Sequence, residues 1–234
     1  MIKNLIKKIS ILKRKILYKK ISYSYGGVDL LIDYIFKDQK KGTYIDVGAQ
    51  HPVSNNNTYL LYKRGWKGIN IDLDMENIKL LNLARKKDLN LCEAISSNTK
   101  EIDLYFYHDK SPINTVEKNI ADSKKTKFQK IKKIKTTTLN NILDANKIEH
   151  INYLNIDVEG HEVQVLKGLD LVKYAPDIIS VEYLDLTMKK LEFKNNNIEN
   201  VLNSTLYKYM IQNNYSLINW SHADLIFTNN NFKD

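Results

Sequence analysis

The chain has 234 residues, enough for one large α/β domain or two small ones with a sizeable core, and its 43% hydrophobic and 27% charged fractions are those of an ordinary globular protein. Cys92 is the only cysteine, which excludes an intrachain disulfide and fits a reducing compartment, and no apolar run approaches the roughly 20 residues of a membrane-spanning helix. The net charge of +9 invites a nucleic-acid reading, but eight of the 36 basic residues lie in residues 1–20, leaving 28 against 27 acids, so the high charge belongs to the leader and the body is nearly neutral, whereas a nucleic-acid footprint is more often a basic face on the folded body.

The first element in chain order is the leader MIKNLIKKISILKRKILYKK. Ile2, Leu5, Ile6, Ile9, Leu12 and Ile16 recur at helical spacing and form one stripe. Lys3, Lys7, Lys8, Lys13, Arg14, Lys15, Lys19 and Lys20 fall largely elsewhere, with no acid among them. The run lacks the uninterrupted apolar core of a secretory signal. Two readings stay open. The stripe packs on the body or on a partner subunit, which allows a homodimer, or it lies on an anionic membrane surface. The missing acids favour the surface, because ordinary exposed helices mix signs. The expected location is cytoplasmic, with peripheral attachment to the inner face of the cell membrane as an option.

Gly26 and Gly27 lead into a helix around Val28 to Phe36. TYIDVGAQ is a β-rich run ending in Asp46 and Gly48, residues 56–64 read as a helix, and Gly65 is placed to stop it. KGINIDLD is a second strand ending at Asp72, followed by a helix over 75–87. LNLCEAIS reads as a third strand and IDLYFYH as a fourth, whereas 113–135 shows no clear pattern. Thr138 to Ala145 suggests a short helix with a threonine cap. INYLNID is the next strand, Val163 to Leu169 the helix after it, and DIISVEY another strand. Ile198 to Asn213 reads as one helix, and YSLINW and ADLIFTN close the chain as two strands.

Strands alternating with helices predict an open, mostly parallel sheet covered on both faces. The tight turn between the last two strands predicts an antiparallel pair at one edge. No repeat or linker divides the body, so the reading is a leader, 1–20, and a single domain, 21–234. Asn55 to Asn57, Asn195 to Asn197 and Asn229 to Asn231 read as loops.

In such sheets ligands bind beyond the carboxyl ends of the strands, where strand order reverses. Gly48 can bring backbone close to a ligand there, and Asp46 can accept hydrogen bonds. Asp72 ends the second strand at a spacing suited to holding ribose hydroxyls. Together they point to an adenosine-containing cofactor, against the plainer reading of a glycine turn with a solvated aspartate. A dinucleotide site wants G-x-G-x-x-G to cradle a pyrophosphate. This chain has G-A-Q-H-P and no glycine between Gly48 and Gly65. A cofactor without phosphates fits better, and S-adenosylmethionine is the obvious one.

Several blocks resemble the FkbM-type methyltransferases: TYIDVGAQHPVSNNNTYLLYKRGWKGINIDLD, SPINTVEK, TTTLNNIL, INYLNIDVEGHEVQVLKGL and IISVEY. The resemblance runs from about Gly26 to the end and leaves out the leader. It implies a class I, Rossmann-like fold with a seven-stranded, mostly parallel sheet and an antiparallel edge strand, here with an extra N-terminal helix. It also implies S-adenosylmethionine-dependent O-methylation, in many members of sugars or polyketides. Gln50, His51 and Pro52 stand where other members often have Asn and a later Gly, a departure that resembles a subgroup linked to bacterial surface-polysaccharide gene clusters. The acceptor implied is a sugar or a nucleotide- or lipid-linked glycan precursor. A small non-sugar acceptor, or a catalytically inactive binding protein of the same fold, are the alternatives. By resemblance, Asp46 and Gly48 line the methionine and ribose end with Ala49. Asp72 holds the ribose with Leu73 beside it, and Glu93 and Ala94 sit near the adenine. Glu93 reads equally as an ordinary strand-end acid.

INYLNIDVEGHE runs from an apolar strand into Asp157, Glu159, His161 and Glu162. Methyl transfer to a hydroxyl needs the oxygen held in line and its proton removed. Asp157 should face the crevice beside the cofactor strand, and Glu182 ends the next strand and looks into the same space. His161 is the residue type suited to base work near neutral pH. The alternatives are a solvated His161, helix-start acids at Glu159 and Glu162, and a strand-end Glu182. Metal independence is expected; if Mg²⁺ binds, Asp157 and Glu182 hold it. There is no His/Cys cluster for zinc. In HPVSNNNTY, His51, Asn57 and Thr58 lie near the cofactor sulfur or the acceptor, or simply cap a helix. Asn114 of SPINTVEK belongs to a candidate acceptor wall. The basic run KKTKFQKIKKIK is a solvated face or a landing site for a phosphate-bearing acceptor.

Overall fold

The computed structural model describes residues 2–17, 20–183 and 197–232. The first half runs α1 (Ile2–Leu17), α2 (Val28–Ile35), β1 (Thr43–Val47), α3 (Tyr59–Lys63), β2 (Lys67–Asp72), α4 (Met75–Ala84), β3 (Leu89–Cys92), β4 (Ala94–Ile95) and β5 (Glu101–Phe106). It continues α5 (Lys118–Ser123), β6 (Lys130–Thr137), α6 (Leu139–Ala145), β7 (Tyr153–Ile156), α7 (Glu162–Lys167) and β8 (Ile178–Glu182). The last elements are α8 (Ile198–Asn203), α9 (Thr205–Gln212), β9 (Tyr215–Ser221) and β10 (Asp224–Asn229).

Seven strands form the main sheet in the order β3-β2-β1-β7-β8-β10-β9. β1, β2, β3, β7 and β8 are parallel neighbours, and β10 is antiparallel to both β8 and β9. TYIDV and YLNI are buried almost end to end, as strands covered on both faces must be. Alternate side chains separate into two cores. Ile45, Val47, Leu154, Ile156, Ile179 and Val181 meet Leu139 and Leu143 of α6, Val165 and Leu166 of α7, and Leu206 and Met210 of α9. Tyr44, Tyr153 and Ile178 meet Val28 and Ile32 of α2, Leu61 of α3 and Trp66. Strand order runs outward from β1 to β3 and then returns to β7 on the other side of β1, so the switch point lies between β1 and β7.

The last two strands pair antiparallel at one edge, as expected, but the strand that opposes the rest is not the outermost one. β10 lies inside, between β8 and β9, and the edge strand β9 runs with the others. The hairpin obliges one strand of the pair to oppose β8. β10, with Leu225, Ile226 and Phe227 fully buried, takes the inner place over the half-exposed β9.

Three further expectations change. LNLCEAIS breaks at Glu93: β3 stays in the main sheet, and β4 joins a separate three-stranded sheet of order β4-β6-β5. The 113–135 region holds α5 and the start of β6, and the second half of the basic run, from Lys130, becomes a mostly exposed strand paired antiparallel with β5. The helix expected over 198–213 is two. Ser204 leaves the helical region (φ −67°, ψ 151°), and its hydroxyl accepts from the Tyr207 N–H at 3.1 Å, starting α9. The Gly65 stop is as read, with φ +91° and its N–H donated to the Tyr62 carbonyl at 2.9 Å. Among the described residues, no helix is long and apolar enough to cross a membrane.

Candidate active site

The tips of β1, β2 and β7 open into a cleft with about 850 Å³ of empty space, closed on its far side by β5 and residues 111–116. Gly48 ends β1 at φ +85°, and a Cβ there would lie 1.7 Å from the Asp157 carbonyl oxygen. Only glycine lets the β1 and β7 tips approach this closely. Gln50 follows at φ +44°, a left-handed conformation disfavoured for a residue with a side chain, and its N–H donates to Asp72 at 2.9 Å.

Asp72 closes the β2 side. Its carboxylate accepts from the backbone N–H of Gln50 and Asp74 and from the Asn77 amide at 2.9, 2.7 and 3.2 Å, and burial raises its pKa. Two carboxylate oxygens offer about four acceptor sites, so one remains for a ligand hydroxyl. Leu73, Glu93 and Ala94 line the same wall.

Asp157 lines the opposite wall, open to the cleft yet enclosed by protein around it. Its carboxyl and that of Glu182 each offer an oxygen within 4.8 Å of the other, so each disfavours ionisation of the other. Enclosure first, then the charges of Asp224, Glu159 and Glu162, push the Asp157 carboxyl up to about 8. Enclosure and Asp157 raise Glu182 well above its usual range. Asp224 is raised to about 6 by burial, against a bond donated by Asn57 at 3.4 Å. The sequence reading missed Asp224 because it begins a strand; the antiparallel course of β10 brings that start to the tips of the others, beside Glu182. Ser111 Oγ in the cleft wall and Glu182 Oε2 are enclosed and have no hydrogen-bond partner among the described residues. The orphaned Ser111 hydroxyl in the cleft wall suits a bound ligand, whereas Glu182 is not among the residues that line the cleft and stands behind Asp157.

Glu159 sits at φ +54° in the turn after β7. Its carbonyl accepts from Thr115 Oγ1 at 2.8 Å and its carboxylate pairs with Lys124 at 2.8 Å, tying the turn to the far wall. His161 lines the cleft, but both ring nitrogens are engaged, with Ser96 Oγ at 2.9 Å and Glu117 Oε1 at 2.5 Å. It bridges the walls and is less free than Asp157 to take a substrate proton. Glu162 accepts from the N–H groups of Val158 and Gly160 and shapes the turn. Asp157, Glu159 and Glu182 each offer an oxygen within 4.8 Å of the others, a set able to hold a divalent cation.

Other residues picked out from the sequence lie elsewhere. Asp46 is 1% exposed and does not line the cleft. Its carboxylate accepts from Asn155, Thr58 and Asn56 at 2.9, 2.7 and 3.2 Å, so it organises the floor. Ala49 packs with Ile78 and Leu81. Thr58 is fully buried, donating to Asp46 and accepting from Arg85. His51 is exposed, and its Nδ1 accepts from the Val53 and Ser54 N–H groups, so it shapes a turn. Asn57 bonds Asn155 at 2.9 Å, close to the acids. Asn114 reaches the cleft, but its amide accepts from Tyr107 N–H and donates to the His108 carbonyl, fixing the wall. The helix-cap reading of HPVSNNNTY holds through Asn56, whose Oδ1 accepts from the Thr58 and Tyr59 N–H groups at 3.0 and 2.8 Å.

A seven-stranded, mostly parallel sheet with a cleft at its switch point is consistent with a methyltransferase fold. The family model described as the methyltransferase FkbM domain matches residues 46–210, and the chain belongs to that methyltransferase family. No curated protein matches it.

Proposed function

We propose that this protein transfers a methyl group from S-adenosylmethionine to a hydroxyl of a sugar or glycan precursor, in the cytoplasm of a bacterium that builds a surface polysaccharide. The observation that carries the reading is the cleft itself, with the Asp72 carboxylate on one wall and Asp157, whose carboxyl lies close to that of Glu182, on the other.

The cleft fits the cofactor. It is walled by acids, which suit a sulfonium cation, and it has none of the further glycines that a pyrophosphate requires. When bound, S-adenosylmethionine supplies an electrophilic methyl carbon: its bond to sulfur breaks as the bond to the acceptor oxygen forms, and sulfur keeps the electron pair. Asp72 accepts from the ribose hydroxyls. Glu93 and Ala94 flank the adenine. Asp157, once deprotonated, takes the hydroxyl proton as the oxygen loses it to bonding, with the Glu182 carboxyl close beside it. The left-handed Gln50 and Glu159 fix the two walls against each other. Should a cation be required, Asp157, Glu159 and Glu182 would hold it and acidify an acceptor diol.

Calorimetric titration of the full chain with S-adenosylmethionine and S-adenosylhomocysteine, with NAD as control, tests the cofactor. Micromolar binding of the first two, weakened about tenfold or more in Asp72→Ala by loss of a charged hydrogen bond, is expected. Well-folded protein that binds neither would overturn the reading. Methyl transfer to candidate sugars, with and without Mg²⁺, then separates a sugar from a non-sugar acceptor.

A further inference from the structure

The leader takes no part in the cleft chemistry. In α1 the described side chains of the apolar stripe face outward: Leu5, Ile6, Ile9 and Leu12 are 59, 60, 46 and 58% exposed. These four side chains, at least, are not packed on the body. Lys7 and Arg14 fall on the opposite side of the helix by its period, Lys8 falls on a flank, and residues 1–20 contain no acid. At 16 residues the helix is about 24 Å long, too short and too charged to span a bilayer.

We propose that α1 lies in the interface of an anionic bilayer, apolar stripe down, and tethers the protein there by the rim that carries the cleft. An apolar stripe backed by unbalanced positive charge is complementary to a surface of acyl chains beneath anionic headgroups. A second copy of the helix is the poorer occupant, because pairing two acid-free helices sets like charges together with none to offset them.

The chain after the leader is fastened to the strand-tip rim. Asp29 accepts from Ser22 Oγ, Tyr23 N–H and Ser24 Oγ at 2.6, 2.6 and 2.9 Å. The Tyr23 carbonyl accepts from the N–H of Asn56, in the loop after β1. The Gly26 carbonyl accepts from Ser221 Oγ at 2.6 Å, at the hairpin beside Asp224. A helix held on the membrane therefore keeps the open end of the sheet close to the surface, where an acceptor carried on a lipid would be presented.

Co-sedimentation of the full chain with vesicles of phosphatidylcholine, alone or mixed with phosphatidylglycerol, tests this. Binding should require phosphatidylglycerol and fall as salt rises. Lys7→Gln, Lys8→Gln and Arg14→Gln should each weaken it about fivefold. The triple variant Leu5→Ser, Ile9→Ser, Leu12→Ser should abolish it while the melting temperature and S-adenosylmethionine affinity of the body stay as they were. Equal binding to neutral vesicles, no binding, or binding unchanged in the triple variant would each overturn the proposal. So would a concentration-dependent dimer, dispersed by the triple variant, in protein that ignores vesicles.

Discussion

Asp157 and Glu182 are the residues on which the chemistry turns. Enclosure and the neighbouring carboxyls hold the proton on Asp157 until the pH nears about 8, with Glu182 raised beside it. The base form therefore grows as pH rises, and kcat for methyl transfer should climb between about pH 6 and 9 before levelling. Asp157→Asn should lower kcat about 10²- to 10⁴-fold and remove that rise, leaving S-adenosylmethionine affinity within a few-fold of the parent. A pH profile of single-turnover rates checks both parts, and an Asn variant with full activity would remove Asp157 from the base role. Asp46 and Asp72 show why residue type alone misleads. Both are strand-end aspartates, but Asp46 sits one pleat lower, level with Asn155 and Ser180, and is consumed in a buried polar row.

At the scale of elements, the loop between β1 and α3 depends on a residue from the end of α4. Arg85 is fully buried, donating to the Pro52 carbonyl, Thr58 Oγ1 and Asn56 Oδ1 at 2.9, 3.0 and 2.5 Å. It also donates to the Tyr44 hydroxyl at 3.1 Å, and Asp88 is its ion-pair partner at 3.7 Å. Arg85→Met keeps the length but leaves a buried Asp88 uncompensated, so a loss of about 3–5 kcal/mol is expected in urea unfolding. S-adenosylmethionine affinity should fall with it, since the same loop carries Gln50 to Asp72. Nothing local in the sequence sets Arg85 apart from Lys86 and Lys87 beside it; its partners, Asp88 aside, come from the loop after β1 and from β1 itself. Ser204 is a smaller case. Its hydroxyl starts α9, so Ser204→Ala should cost about 1 kcal/mol by thermal unfolding, with cofactor binding unchanged.

Across the whole molecule, the strand-tip acids make stability fall toward alkaline pH. Asp157, Asp224 and Glu162 are raised to about 8, 6 and 7, chiefly by the protein packed around them, against about 4 in an unfolded chain. Between those values the native state binds more protons than the unfolded state, so stability drops as pH rises. The melting temperature should be higher at pH 5.5 than at pH 8.5. Glu162→Gln, which keeps one acceptor for the Val158 and Gly160 N–H groups, should flatten the difference. A melting temperature that rises over that interval would show that the clustered acids are not held protonated.

Periodicity alone determined the alternation of helices and strands, the helix stop at Gly65 and the acid-free amphipathic leader, because each depends on neighbours within a turn or a pleat. The resemblance of its motif blocks determined the family. Strand order, the inner place of β10, the split of LNLCEAIS into two sheets and the convergence of Asp224 on Asp157 came only with the tertiary structure. Which strand a segment pairs with depends on burial against distant residues, and a carboxyl's proton affinity depends on what encloses it, neither of which is local in sequence.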